Sequence, residues 1–206
     1  VSLPDSVEVM NPYQDNVAME ICSQFYQKFY GDNGERTLIL GINPGRFGGG
    51  ITGVPFTDPQ KLEVNCGIPN NLKKKTELSA DFIYAMIDAF GGPEKFYGKF
   101  YISAISPLGF TQHGKNLNYY DIKELQQVVE PFMIRCIQSQ LKFGINPEVC
   151  FCLGEGKNFA YLVQLNAKHQ FFKKIIPLAH PRFIMQYRRR SIDTYIKDYL
   201  KNFEKA

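Results

Sequence analysis

The sequence predicts an α/β protein, a three-layer α/β/α sandwich on a central four-stranded parallel sheet, and three observations carry that expectation. Four short, nearly continuous apolar runs, Thr37–Ile42, Phe100–Ile105, Val149–Leu153 and Ile175–Ala179, have the look of strands covered on both faces. Segments with helical periodicity separate them, so each connection reads as a crossover of the kind that parallel strands require. With 206 residues, 44% of them hydrophobic, the chain reads as one domain over 1–206, and a domain of that size buries roughly 70% of its extended surface.

Taken in order, Asn11 and Pro12 supply a cap and first turn to a helix reaching about Tyr30, with Val17, Ile21, Phe25 and Phe29 as its apolar stripe. Gly31 to Gly34 break it, and the first strand then delivers Asn43. From Asp58 to Thr76 the pattern dissolves into prolines, asparagines and Lys73-Lys74-Lys75, the composition of a long loop. Ser79 or Asp81 is placed to cap a second helix with Phe82, Ile83, Met86, Ile87 and Phe90 on its buried side, ended by Gly91-Gly92-Pro93. The second strand leads into Ser106-Pro107-Leu108-Gly109. Tyr119 to Lys142 carries the apolar spacing of a long helix, Leu125, Val129, Met133 and Ile137 among its positions, with Pro131 expected to kink it. A helix from Glu155 to about Leu165 links the third and fourth strands, His180 falls at the carboxyl end of the fourth, and a last helix starts near Ser191.

Composition excludes several classes. The formal net charge is only +4 and there is no basic tail, so a polyanion has to be met by a local patch. Five cysteines, Cys22, Cys66, Cys136, Cys150 and Cys152, are irregularly spaced with no CxxC pair, which disfavours zinc and points to a reducing, intracellular setting. Cys150 and Cys152 share one face of a strand and read as small buried hydrophobes rather than cluster ligands. No metal or cofactor is expected. No uninterrupted apolar run approaches the roughly 18 residues of a membrane-spanning helix, and the opening Val1-Ser2-Leu3-Pro4-Asp5 lacks a signal-peptide pattern. The expected location is therefore inside the cell.

The chemistry-bearing stretch is Gly41 to Phe56, where the first strand gives way to a loop rich in glycine and proline. It fits neither phosphate motif, having no Gly-Lys-Ser/Thr ending and no GxGxxG. Glycine lets backbone approach a ligand, and Asn43 and Phe56 are the polar and flat aromatic groups such a loop can aim. A purely structural loop is the plain alternative. Asn43 and His180, far apart in the chain, both fall beyond the carboxyl ends of strands, where open α/β sheets bind ligands.

Gly41-Ile42-Asn43-Pro44-Gly45-Arg46-Phe47-Gly48, with Thr52-Gly53-Val54-Pro55-Phe56 following, resembles the first motif of the single-strand-selective monofunctional uracil-DNA glycosylases. Leu178-Ala179-His180-Pro181 resembles the second motif of that superfamily. The resemblance implies a uracil-DNA glycosylase-like fold. It also implies a monofunctional hydrolase of base excision repair that removes uracil and 5-hydroxymethyluracil from DNA, with the damaged base flipped out of a single or double strand, leaving an abasic site. On that footing Asn43 positions water beneath C1′, and His180 donates to the oxyanion developing on the base. Phe56 stacks on the base, Gly45 and Phe47 lie against the substrate, and Gly45 and Gly48 to Gly50 leave room for the sugar and for substituents on pyrimidine C5. The resemblance further implies a monomer, acting in the cytoplasm or nucleoid of a bacterium or the nucleus of a eukaryote. No lysine stands where an amine nucleophile would be, so no lyase step is expected.

Two departures from the family pattern bear on substrate choice. Ala104 stands where the family has an asparagine that reads the base, leaving Ser103, Ser106, Asn116, Asn118 or backbone groups to do so. After the histidine, Arg182-Phe183-Ile184 replaces Ser-Pro-Arg. The segment Arg182, Phe183, Ile184, Met185, Gln186, Tyr187, Arg188, Arg189, Arg190 sets apolar residues among cations, the composition of a wedge that unstacks a base while neutralising phosphates. Lys73 to Lys75 and Lys115 are weaker phosphate contacts, and His113 and His169 read as loop or surface residues. Three other functions fit the same residues: a glycosylase with changed base preference, such as for deaminated purines; a nucleic-acid-binding module that has lost catalysis; and a hydrolase of free nucleosides or nucleotides.

Overall fold

The structure is a computed structural model that describes residues 3–206; Val1 and Ser2, part of the opening judged free of a leader pattern, lie outside the described residues. In chain order the elements are β1 (Val7–Met10), α1 (Asn16–Tyr30), β2 (Arg36–Gly41), α2 (Gly49–Thr52), α3 (Pro59–Val64), α4 (Leu78–Phe90), α5 (Pro93–Lys99), β3 (Phe100–Ala104), β4 (Gly109–Gln112), β5 (Lys115–Leu117), α6 (Lys123–Leu141), β6 (Ile145–Leu153), α7 (Lys157–His169), β7 (Lys174–Leu178), α8 (Pro181–Tyr187) and α9 (Ile192–Phe203). The four apolar runs form one parallel sheet in the order β3-β2-β6-β7, with Gly41 opposite Ala104, Leu40 opposite Cys152 and Leu153 opposite Leu178.

Strand alternation sorts the sheet residues between two cores. Leu38, Leu40, Cys150 and Cys152 pack with Leu125, Val129, Met133 and Ile137 of α6 and with Leu162 and Leu165 of α7. Their neighbours Ile39, Ile102, Phe151 and Leu153 pack on the opposite face with residues of α1, α4, α5, α8 and α9. Every residue of β2 is buried, as the nearly continuous apolar run from Thr37 anticipates for a strand flanked on both faces, Arg36 at its start being the charged exception. Strand order reverses between β2 and β6, so the crevice beyond their carboxyl ends is the natural binding position.

Several local expectations are corrected. The first helix divides into a 3-10 turn at Pro12–Gln14, capped by Asn11, and α1, capped by Asp15. Val17 is exposed; Ala18, Ile21, Cys22, Phe25 and Phe29 form the buried face. Glu77, rather than Ser79 or Asp81, occupies the cap position of α4. The 58–76 stretch contains α3, started by Asp58. A second sheet, antiparallel in the order β1-β4-β5, has no counterpart in the sequence reading; its β4-β5 turn places His113 and Gly114 both at positive φ, the geometry of a tight hairpin. No helix among the described residues is long and apolar enough to cross a membrane.

The entry to β2 is pinned by Arg36, which is almost fully buried. Its guanidinium donates to the carbonyls of Tyr97, Gly34 and Phe29 at 2.7, 2.8 and 3.2 Å, and bidentately to Asp32 at 2.7 and 3.0 Å. These bonds tie the end of α1 and the end of α5 to the sheet. Replacing Arg36 with Met leaves the Tyr97 and Phe29 carbonyls without that donor, and the loss expected in urea denaturation at neutral pH is about 3 kcal/mol.

Candidate active site

Beyond the carboxyl end of the parallel sheet lies a pocket lined by Asn43, Gly45, Phe56, Glu77, Ala104, Asn116, Asn118 and His180, with Arg182 at its edge. The sheet brings Asn43 from β2, Ala104 from β3 and His180 from β7 to this point, and the β4-β5 hairpin closes one side.

Asn43 is held by the hairpin. The Tyr119 N–H donates to its Oδ1 at 3.0 Å, while its Nδ2 donates to the Leu117 carbonyl at 3.2 Å and to the Pro44 carbonyl at 3.4 Å. A backbone donor and a backbone acceptor fix which way the amide faces. Both amide hydrogens are then engaged, and one lone pair of Oδ1 remains free to accept from a water. The next part of the loop is clamped from the same side, since the Arg46 N–H donates to Asn116 Oδ1 at 3.2 Å and the Arg46 guanidinium to the Gly114 carbonyl.

Phe56 adopts φ 53°, a left-handed conformation that costs energy in a non-glycine residue, and its ring lies against the end of β2 at Gly41. A side chain at Gly41 would run into that ring, so glycine is required there. The Phe56 and His180 rings stand 6.3 Å apart at 52°. His180 starts α8, where its Nδ1 accepts the Arg182 N–H at 3.1 Å. In the neutral ring Nε2 therefore carries the proton. Burial first, and then the nearby Arg182 guanidinium, lower the imidazole from its usual 6.5 to about 4. The buried Tyr199 hydroxyl of α9 donates to the Ala179 carbonyl and steadies the backbone just ahead of the histidine.

Asn43 and Phe56, from the connection that follows β2, thus converge with His180 from the end of β7, and the fold around them has known relatives. The family model of the uracil DNA glycosylase superfamily matches residues 28–204. The chain belongs to that superfamily. A crystal structure of wild-type SMUG2 from Pedobacter heparinus superposes with a TM-score of 0.96 at 50% identity, over 98% of this chain and 89% of that one, which places the chain on the SMUG-like branch. A comparison with curated proteins returns no match. The protein is accordingly a DNA glycosylase, a hydrolase acting on DNA.

Within this glycosylase fold the remaining expected site residues are distributed unevenly. Gly45 lines the pocket, but Phe47 sits in an adjoining depression with the Arg46 guanidinium 4.6 Å and the Lys75 ammonium 4.5 Å from its ring centre, so it is a cation-stacked aromatic outside the pocket that holds Asn43 and His180. Ser106, expected against the substrate, is instead buried, with its hydroxyl donating to the Leu108 carbonyl at 2.8 Å, and does not line the pocket. Ser103 also faces away, into a neighbouring cleft, whereas Asn116 and Asn118 do reach the pocket. The 182–190 segment is a short helix followed by a turn, and helical spacing divides it. Ile184 and Met185 point into the core, contrary to the expectation of DNA contact, while Arg182, Phe183, Tyr187, Arg188, Arg189 and Arg190 are exposed. The Phe183 and Tyr187 rings lie 5.8 Å apart, with the Arg188 guanidinium 5.6 Å from the Phe183 ring centre.

Glu77 is the pocket residue that sequence reasoning misses. Its backbone N–H donates to Asp58 Oδ2 at 3.0 Å, while Asp58 Oδ1 caps α3 at 2.9 Å, so one buried carboxylate two residues past Phe56 fixes both segments. The Glu77 carboxyl enters the pocket beside Gly45 and Gly48. Burial and then the Asp58 carboxylate push it up to about 7, against the pull of Arg182. Its position after Lys73-Lys74-Lys75 gives it the appearance of a solvated loop charge; the one available signal is an acidic residue directly before an amphipathic helix.

The lowered His180 value has a definite sign. Above pH 6.5 the ring is neutral in folded and unfolded chains alike; as pH falls from 6.5 to about 4 only the unfolded chain takes up the proton, so folding stability falls across that window. In an NMR titration the His180 ring should stay neutral, with its proton on Nε2, from about pH 5.5 to 8.

Proposed function

We propose that this DNA glycosylase excises uracil and 5-hydroxymethyluracil by direct water attack, leaving an abasic site for base excision repair. The observation that carries the reading is the meeting, in one pocket beside the Phe56 ring, of an oriented amide oxygen on Asn43 and a neutral imidazole donor on His180.

The bond from C1′ to N1 breaks with its electron pair passing to the base, so the sugar becomes cationic and the base anionic. Asn43 Oδ1 accepts a hydrogen bond from water and aims the water oxygen at C1′; the proton lost as the new C–O bond forms passes to the departing base or to bulk water. An amide is too weak a base to remove that proton beforehand, and the oxocarbenium character of the sugar makes early removal unnecessary. His180 donates from Nε2–H to O2, where negative charge develops. As a neutral donor it stabilises the oxyanion without bringing a fixed positive charge into a desolvated site. Phe56 supplies the stacking face. The pocket lining contains no lysine, which favours a monofunctional enzyme over one that forms an imine with the sugar.

DNA is met by the exposed face of α8 and the turn after it. Phe183 and Tyr187 form the wedge that fills the space of the flipped base, and Arg182, Arg188, Arg189 and Arg190 meet phosphates. On this reading a single copy of the chain suffices, acting on the DNA inside the cell.

A second reading, removal of deaminated purines, is favoured by Ala104. Together with Pro44 and Pro55 it borders both the base pocket and the cleft containing Tyr13, Tyr26 and Tyr101, so a methyl group stands where a longer side chain would close the wall.

Mass identification of the base released from oligonucleotides carrying uracil, 5-hydroxymethyluracil, hypoxanthine or xanthine separates these readings. Uracil and 5-hydroxymethyluracil are the expected products, and release of neither rules out the primary reading. His180→Ala should slow release about 10²- to 10³-fold while the protein stays folded. Alanine at both Phe183 and Tyr187 should reduce kcat/KM on paired uracil more than on single-stranded uracil, since only the duplex has to be opened.

A further inference from the structure

Two buried polar groups that the mechanism above does not use stand behind the site. Asn158, near the start of α7, is 2% exposed, and the Tyr119 side chain is wholly buried. The Tyr119 hydroxyl donates to Asn158 Oδ1 at 2.8 Å. Asn158 Nδ2 in turn donates to the Leu153 carbonyl at 3.1 Å and to Cys152 Sγ at 3.4 Å, so both of its hydrogens are engaged and the amide has one orientation. Neither residue lines the pocket that holds Asn43 and His180. A buried polar network whose members are all paired fixes the segments it joins.

The segments joined here are those that carry the two catalytic groups. Tyr119 lies between β5 and α6, outside regular structure, and its backbone N–H is the donor that holds Asn43 Oδ1 at 3.0 Å. No strand ladder sets the direction of that N–H. The far end of the same residue does, because the hydroxyl is tied to Asn158 and the ring is packed beside those of Tyr120 and Tyr161, at 5.0 and 5.1 Å between centres. On the other side of Asn158, Leu153 ends β6 opposite Leu178 of β7, and the Gly154 N–H donates to the Leu178 carbonyl at 2.8 Å, two residues before His180. The first carbon of a side chain on Gly154 would stand in contact with both Asn158 and the His180 ring. We propose that Asn158 and the Tyr119 hydroxyl are a positioning pair, which sets the aim of the Asn43 amide relative to His180 without touching the substrate. Losing the pair leaves the Tyr119 N–H in place but lets it turn, and the water held by Asn43 turns with it.

This assignment rests on the water-positioning reading of Asn43 in the previous section. The test is a double-mutant cycle between Tyr119→Phe and Asn43→Ala in the full chain. It reads single-turnover release of uracil from a single-stranded oligonucleotide, with the Kd for the same DNA from fluorescence anisotropy and folding verified by circular dichroism. Tyr119→Phe should slow release about tenfold at unchanged Kd, the scale of one neutral hydrogen bond. In the Asn43→Ala background the same substitution should change the rate by less than about twofold, because no amide is left to aim. A hydroxyl that served stability alone would slow both backgrounds equally. Asn158→Ser, which removes the amide, takes the place of Tyr119→Phe if that variant does not fold. No slowing in the wild-type background, or equal slowing in both, overturns the assignment and leaves the glycosylase reading intact. Uracil release by Asn43→Ala at the wild-type rate overturns the water-positioning reading and the assignment together.

Discussion

The amide of Asn43, gripped between the Leu117 carbonyl and the Tyr119 N–H, is the constraint on which the site is organised. A free asparagine at the tip of a glycine-rich loop samples several rotamers and both amide orientations. The hairpin removes that freedom before substrate arrives, so on the proposed mechanism the entropic cost of aiming a water is met in folding rather than in the reaction. The same hairpin holds Arg46, which keeps the loop from swinging away from the sheet. The two sheets therefore divide the work, the parallel one delivering the loop and the antiparallel one fixing its Asn43 side chain.

Desolvation sets the chemistry of the other groups. It keeps His180 neutral and a donor through Nε2, and it makes the Glu77 carboxyl reluctant to ionise. Both effects disfavour charge on these two groups, which on the proposed mechanism suits a site where charge develops only as the glycosidic bond breaks. Backbone geometry serves the same end, since Phe56 holds a left-handed conformation that sets its ring against Gly41, and the buried Asp58 just after it anchors both α3 and Glu77.

What can be seen in the sequence follows from how each feature is encoded. The parallel strands announce themselves because a strand buried on both faces is apolar throughout, and Asn43, Phe56 and His180 stand in compact motifs at strand ends. The β1-β4-β5 sheet escapes notice because its strands span three or four residues and carry Glu8, Gln112, Lys115 and Asn116, too short and too polar for a period to register. In the 182–190 segment composition alone suggests a uniform wedge; a single helical turn buries Ile184 and Met185 and presents Phe183 and Tyr187. Glu77 is invisible for a different reason, since its place in the pocket is opened by Gly45 and Gly48, about thirty residues earlier, and no local pattern links them.

The central claim is that the clamped amide of Asn43 directs the attacking water. Single-turnover release of uracil from a single-stranded oligonucleotide by Asn43→Ala, with folding verified by thermal denaturation, tests it most directly. The account predicts a rate about a hundredfold or more below wild type with substrate binding retained, the scale set by losing orientation at a reacting centre. A variant that binds DNA and releases uracil at the wild-type rate would contradict it.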